Sequence, residues 1–199
     1  MRTKTNTALA TFAPVFGGTA TGGVCWHQWV SETLDVGQTI TGTMSMVVGK
    51  CGETSTGGDA HLAFSLRVMQ GDTSTQRGVL LNFNTISTEF PLIASAATRI
   101  HSARALTSVA GLAGDRIVCE IGIHAVTPVN ETMQLRFGDP TAAADFALTA
   151  ALTTDLCPWV ELSQNLTFGT AGASGQPADK RMADIPGMSG TTPFGPRRW

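Results

Sequence analysis

Apolar and polar residues alternate at every second position through the middle of the chain. In 38–48, Ile40, Gly42, Met44, Met46 and Val48 alternate with Thr39, Thr41, Thr43 and Ser45. Segment 61–70 repeats the pattern with Leu62, Phe64, Leu66 and Val68 on one side. Segment 115–126 sets Ile117, Cys119, Ile121 and Ile123 against Arg116, Val118, Glu120 and Gly122. Successive side chains of a strand point to opposite faces, so this period predicts half-buried strands. Shorter strands are predicted over 8–12, 24–30, 78–83, 105–109, 132–137 and 161–168. Turn residues separate several of them: Gly57-Gly58-Asp59, Gln70-Gly71-Asp72 and Ala113-Gly114-Asp115. Many short strands with little helix predict an all-β fold, an antiparallel β-sandwich of jelly-roll-like form. One segment competes with that reading. Residues 141–152 carry Ala142, Ala143, Ala144, Phe146, Leu148 and Leu152 behind Asp139-Pro140, which predicts a short helix or an ordered loop.

The alternation stops near Phe168, which divides the chain into a sandwich over 24–168 and two extended arms. Residues 1–23, rich in Thr, Ala and Gly, read as an N-terminal arm with a possible edge strand. Residues 169–199 hold Gly169, Gly172, Gly175, Pro177, Pro186, Gly187, Gly190, Pro193, Gly195 and Pro196, a density that opposes both helix and ladder. Ordering such a segment costs roughly 1–2 kcal/mol per residue of backbone entropy. Contacts with neighbouring subunits are the simplest offset, so the segment reads as an arm laid across another chain. Its expected anchors are Met182, Ile185, Met188, Phe194, Arg197, Arg198 and Trp199, the large apolar and arginine side chains that dominate interface contacts.

Charge narrows the partners. Charged residues make up 14% of the chain and the formal net charge is −2, without the clustered cations of a nucleic-acid binder. No apolar run reaches the roughly 18 residues of a membrane span. Residues 1–6 lack the apolar segment of a signal peptide, which predicts a protein made and kept in a cytoplasm. Cys25, Cys51, Cys119 and Cys157 form no CxxC pair and read as small free core residues rather than zinc ligands.

Catalytic chemistry is scattered. His27, His61, His101 and His124 show no paired-ligand spacing, and His101 falls in a loop-like stretch. No nucleophile elbow or phosphate-binding glycine loop occurs. Asp115 and Glu120 share a strand but, five apart, face opposite ways, so they form no acid–base pair. Asp59, Asp72 and Asp115 read as turn residues rather than calcium ligands. The expectation is therefore a non-enzyme with no cofactor and no metal. Trp26, Trp29 and Trp159 are the remaining candidates, as a ligand platform or, preferably, a subunit interface. Trp26 and Trp29 are expected to face opposite ways, and tyrosine is absent.

Five segments carry a family likeness: Trp29-Val30-Ser31-Glu32-Thr33-Leu34, Gln38-Thr39-Ile40-Thr41-Gly42-Thr43, Arg77-Gly78-Val79-Leu80-Leu81, the run from Ala113-Gly114-Asp115-Arg116 through Ile117-Val118-Cys119-Glu120-Ile121-Gly122, and Pro158-Trp159-Val160-Glu161-Leu162-Ser163. Across 26–168 their order and spacing resemble a family of small β-sandwich proteins encoded by tailed bacteriophages and prophages. The Gly/Pro-rich end departs from that pattern. The resemblance implies a virion structural protein assembled in the host cytoplasm, with the major capsid protein or other virion subunits as partners. A capsid decoration (cement) protein is the preferred form, oligomeric and compatible with a trimer. The alternative is a carbohydrate-binding module on a fibre, neck or tail component. The resemblance supplies no catalytic positions.

Overall fold

The computed structural model describes residues 10–12, 15–16, 22–55, 57, 59–71, 75–85, 88–127, 131–137, 145–150, 152–154, 156–169 and 197–198. Within them the chain forms β1 (Ala10–Phe12), β2 (Val15–Phe16), β3 (Gly22–Thr33), β4 (Gln38–Ile40), β5 (Thr43–Glu53), β6 (Ala60–Met69), β7 (Gln76–Thr85), β8 (Ala97–Ala105), β9 (Val109–Gly111), β10 (Arg116–Ala125), β11 (Glu131–Phe137), β12 (Trp159–Leu162) and β13 (Arg197–Arg198). A single 3-10 turn, Ile93–Ser95, precedes β8.

Two antiparallel sheets pack face to face. The first runs β1–β11–β5–β8, with β12 beside β11 on the same edge of β5 and β2 beside β1 on β11. The second runs β13–β3–β10–β6–β7. A separate ribbon of β4 and β9 adds Ile40 and Val109 to the same core. In chain order β1, β5, β8 and β11 belong to the first sheet, and β3, β6, β7 and β10 to the second. The predicted all-β antiparallel sandwich is what the chain forms.

The core follows the predicted alternation. Leu62, Phe64, Leu66 and Val68 of β6 and Ile117, Cys119, Ile121 and Ile123 of β10 face inward from one sheet. Met44, Met46 and Cys51 of β5 and Met133 and Leu135 of β11 meet them from the other. Sheet-on-sheet packing of this kind buries the inner face of every strand. Phe64 and His101 touch edge to face, with ring centroids 4.2 Å apart. The sheet of β5 is also tightly spaced. A Cβ on Gly49 would collide with the Arg136 carbonyl oxygen, so a hydrogen side chain is required there.

Several expectations from the sequence need correction. The strand predicted over 38–48 is two strands, because Gly42 adopts φ +91 and turns the chain from the β4 ribbon into the main sheet. The strand predicted over 105–109 straddles the gap between β8 and β9. His101 lies in β8 and is buried, not in a loop. Of the short helix or ordered loop predicted over 141–152, the described residues 145–150 take the loop, and 141–144 and 151 lie outside the described set. There Phe146 is buried, its N–H bonds to the Cys157 carbonyl, and Thr98 Oγ1 donates to the Thr149 carbonyl. Those cross-chain bonds take the groups that a helix would have paired within itself. The strand predicted over 161–168 begins earlier and ends at Leu162.

Candidate functional site at the edge of β3

The most distinctive local geometry lies along the edge of β3 away from β10. The chain reaches this edge after β12, and amide side chains guide it there. Gln164 Nε2 donates to the Thr39 carbonyl at 2.8 Å while its Oε1 accepts from the Thr41 N–H at 2.9 Å. Gln38 does the same for Thr167, donating to its carbonyl at 2.8 Å and accepting from its N–H at 3.1 Å. Each glutamine thereby stands in for a missing strand neighbour, satisfying one donor and one acceptor of the backbone.

Antiparallel pairing with the end of β3 follows. Phe168 bridges Leu34, and the flanking bonds run from the Asp35 N–H to the Thr167 carbonyl and from the Gly169 N–H to the Thr33 carbonyl, at 3.0 and 2.9 Å. If this register continued, residue 177 would stand opposite Cys25. Arg197 stands there instead, with Arg198 opposite Val24. The C-terminal segment thus begins and ends on one edge, twenty residues longer than a continuous ladder requires. Closing the 27 residues between Gly169 and Arg197 onto that edge costs about 3 kcal/mol in chain entropy. A two-residue ladder returns only a few hydrogen bonds of about 1 kcal/mol net each. The balance is close to even.

Exposed apolar side chains surround the root of this segment. Val36, Leu112 and Phe168 are 50%, 52% and 39% exposed. Their segments are laced together, since the Leu34 N–H bonds to the Asp115 carbonyl and the Gly114 N–H to the Leu34 carbonyl. Asp115 organises the same end. It accepts from Arg77 through both carboxylate oxygens and from the Leu112 N–H at 2.8 Å. Burial alone would raise the Asp115 carboxyl. The Arg77 hydrogen bond, the Leu112 N–H and the Arg77 charge outweigh it and hold the group below the ordinary aspartate value.

The outer face of the β3–β10–β6 sheet carries a second polar arrangement. Glu120 is only 4% exposed although it points away from the core. Arg67 pairs with it, Ser65 Oγ donates to Oε2 at 3.1 Å, and Gln28 Nε2 donates to Oε1 at 3.1 Å. A carboxylate so fully engaged is held in place. On the same face His124 sits opposite His61, with Phe83 5.6 Å from the His124 ring. Burial and then the neighbouring His61 lower the His124 pKa.

The sequence candidates separate in space. Trp29 packs partly buried against the core between the sheets. Trp159 lies on the other sheet and donates through Nε1 to the Phe146 carbonyl at 2.6 Å. These two rings do not form one platform, and the Trp26 side chain lies outside what is described. Arg197 and Arg198 pair with the chain's own β3. Met182, Ile185, Met188, Phe194 and Trp199 lie outside the described residues, as does Asp72. Asp59 is a turn residue at φ 46 that accepts from Thr127 Oγ1 at 2.8 Å. Asp115 and Glu120 lie on opposite faces and in separate ion pairs. Among the described residues no group of three or more His, Cys, Asp or Glu could hold a metal, and no helix is long and apolar enough to cross a membrane. Cys51, Cys119 and Cys157 are buried and form no disulfide among the described residues.

The Glu120 cluster and the register break on β3 were missed by sequence reasoning. Period two does place Ser65, Arg67 and Glu120 on polar faces. Their meeting depends on the pairing of β6 with β10, which strand patterning does not specify. No protein-family model, curated protein or solved structure matches the chain.

Proposed function

We propose that this chain is a structural subunit of a tailed-bacteriophage virion, most specifically a decoration or cement protein of the head. The carrying observation is the edge of β3. There, a C-terminal segment too polar and too rich in Gly and Pro to form a core is rooted at one end of the strand and returns at the other. The strand order supports the reading. The sequence β1–β11–β5–β8 facing β3–β10–β6–β7 is compatible with the winding of an eight-stranded jelly roll, an architecture shared by capsid subunits and lectins. Fold alone does not select between those uses. The lectin-like alternative, a glycan-binding module on a fibre, neck or tail, is the weaker reading because Trp29 and Trp159 occupy different sheets.

In this reading the sandwich stands on the shell, and the C-terminal segment and the apolar root at Val36, Leu112 and Phe168 contact the major capsid protein or adjacent copies. Area buried by such an arm contributes at about 25 cal/mol per Å², less the cost of ordering it. Particles lacking the protein provide the test. The full chain should rebind them to the copy number of the shell lattice, and a chain ending after Gly169 should fold but fail to bind. Full occupancy by the shortened chain would remove the arm from the mechanism. Binding at only the few copies of a neck or tail would remove the shell.

A further inference from the structure

The edge of β3 reads as a slot whose occupant is not dictated by chain connectivity. Thr33 and Cys25 are eight residues apart on β3, about 26 Å at strand spacing. The chain between Gly169 and Arg197 has 27 residues, which reach about 90 Å when extended. A connection of that length reaches the β3 of a copy held alongside as well as the chain's own. The bonds formed, the register and the residues are identical in both cases. Exchange of an identical element between protomers is a low-cost route to assembly, and it needs a closed form that opens readily. The weak two-residue ladder meets that condition.

We propose that β13 is exchanged: in the assembled protein, the C-terminal strand of one copy fills the slot beside Val24 and Cys25 of β3 in a neighbouring copy. The proposal rests on the assembly reading above and specifies its contact. Every copy donates one strand and accepts one. Two copies satisfy this by reciprocal exchange about a two-fold axis, and more copies by a head-to-tail ring when the rotation between them permits. The occupant is a second copy of this chain rather than a foreign strand, because the register is already satisfied by this chain's own Arg197 and Arg198.

The register supplies its own probe. Arg197 and Cys25 are Cα partners, and directly opposite residues on antiparallel strands place their Cβ atoms about 4.5–5.5 Å apart. A donor chain would carry Arg197→Cys together with Cys25→Ser. An acceptor chain would keep the native residues at both positions and carry a mass tag. The two would be co-expressed at full length, assembled, and treated with a short thiol–thiol cross-linker. Exchange predicts covalent donor–acceptor pairs, and it predicts multimer ladders from a chain carrying Arg197→Cys with Cys25 intact. Links confined within single chains would overturn the proposal, and so would the absence of any link at this register. Either of those results from protein that still binds particles would leave the shell role standing and remove only the exchange.

Discussion

Some buried ionisable side chains in this sandwich keep a charged partner, and others are kept neutral. Asp115 and Glu120 belong to the first, each facing an arginine. His101 belongs to the second. It lies against Phe64, its Nε2 has no hydrogen-bond partner, and burial followed by the nearby Arg104 charge lowers its pKa to about 4. Cys51 is similarly neutral, its thiol pushed up to about 12 by burial against the opposing Arg99 charge. The consequence of His101 can be worked out with its sign. In the unfolded chain the imidazole protonates near 6.5, and in the folded chain only near 4. Between those values the unfolded state binds the extra proton, so stability is full above pH 6.5 and falls as pH drops toward 4. The interval corresponds to a loss of about 3 kcal/mol at most. His124, also lowered, adds to the slope in the same direction. Denaturant melts of the native chain and of His101→Leu across this range should show a clearly flatter acid slope in the variant. Equal slopes would mean that His101 is solvated or protonated in the native fold.

At the scale of elements, strands with strong alternation were placed most closely, while the shorter candidates over 8–12, 24–30 and 78–83 were found with shifted bounds in β1, β3 and β7. β6, β10 and β11 emerge close to their predicted bounds because Leu62 through Val68, Ile117 through Ile123, and Met133 with Leu135 fill the core at every second position. β8 escaped because the residues it turns inward include Arg99 and His101, which carry no hydrophobic signal. Tertiary bonds explain their burial: the Arg99 guanidinium donates to the Glu89 and Thr98 carbonyls. The break at Gly42 was hidden by an uninterrupted alternation across it. The site was less legible than the fold, since the β3 edge exists only through pairings between residues more than a hundred positions apart. β8 also contains the one irregularity that invites a stability test. Opposite Ser45, the register of β5 and β8 skips a residue, and Ala103 takes up the bulge at φ 49 with its N–H bonded to Ser45 Oγ. A left-handed alanine costs roughly 1–2 kcal/mol, whereas glycine adopts that conformation freely at an entropic cost of roughly 0.5–1 kcal/mol. Ala103 is exposed, so little packing is lost on removing its methyl. Ala103→Gly should therefore stabilise the protein by about 0.5–1 kcal/mol. A loss of stability in chemical denaturation would show that the bulge is not strained.

For the whole molecule, the decisive contrast is between the centre of the second sheet and its far edge. β10 is paired along its whole length with both β3 and β6, so its amides can exchange only when the sandwich opens globally. Arg197 and Arg198 hang on the same sheet by a two-residue ladder whose bonds barely offset the closure of the preceding 27 residues. Such a ladder opens locally, at almost no cost to the rest of the fold. Hydrogen exchange on the isolated chain at high dilution should therefore find the Arg197 and Arg198 amides close to unprotected while those of Ile117–Ile123 are slow. In assembled protein, or on particles, neighbouring copies add contacts that a single chain lacks. The same two amides should then slow by about 100-fold or more, as expected for a segment that joins a cooperative unit. The comparison separates two roles for the C-terminal segment. Protection that is already complete in the dilute chain would make the segment an internal clasp of one sandwich, and the association built on it would lose its physical basis. Protection that appears only on assembly identifies the edge of β3 as the place where one copy is tied to its surroundings.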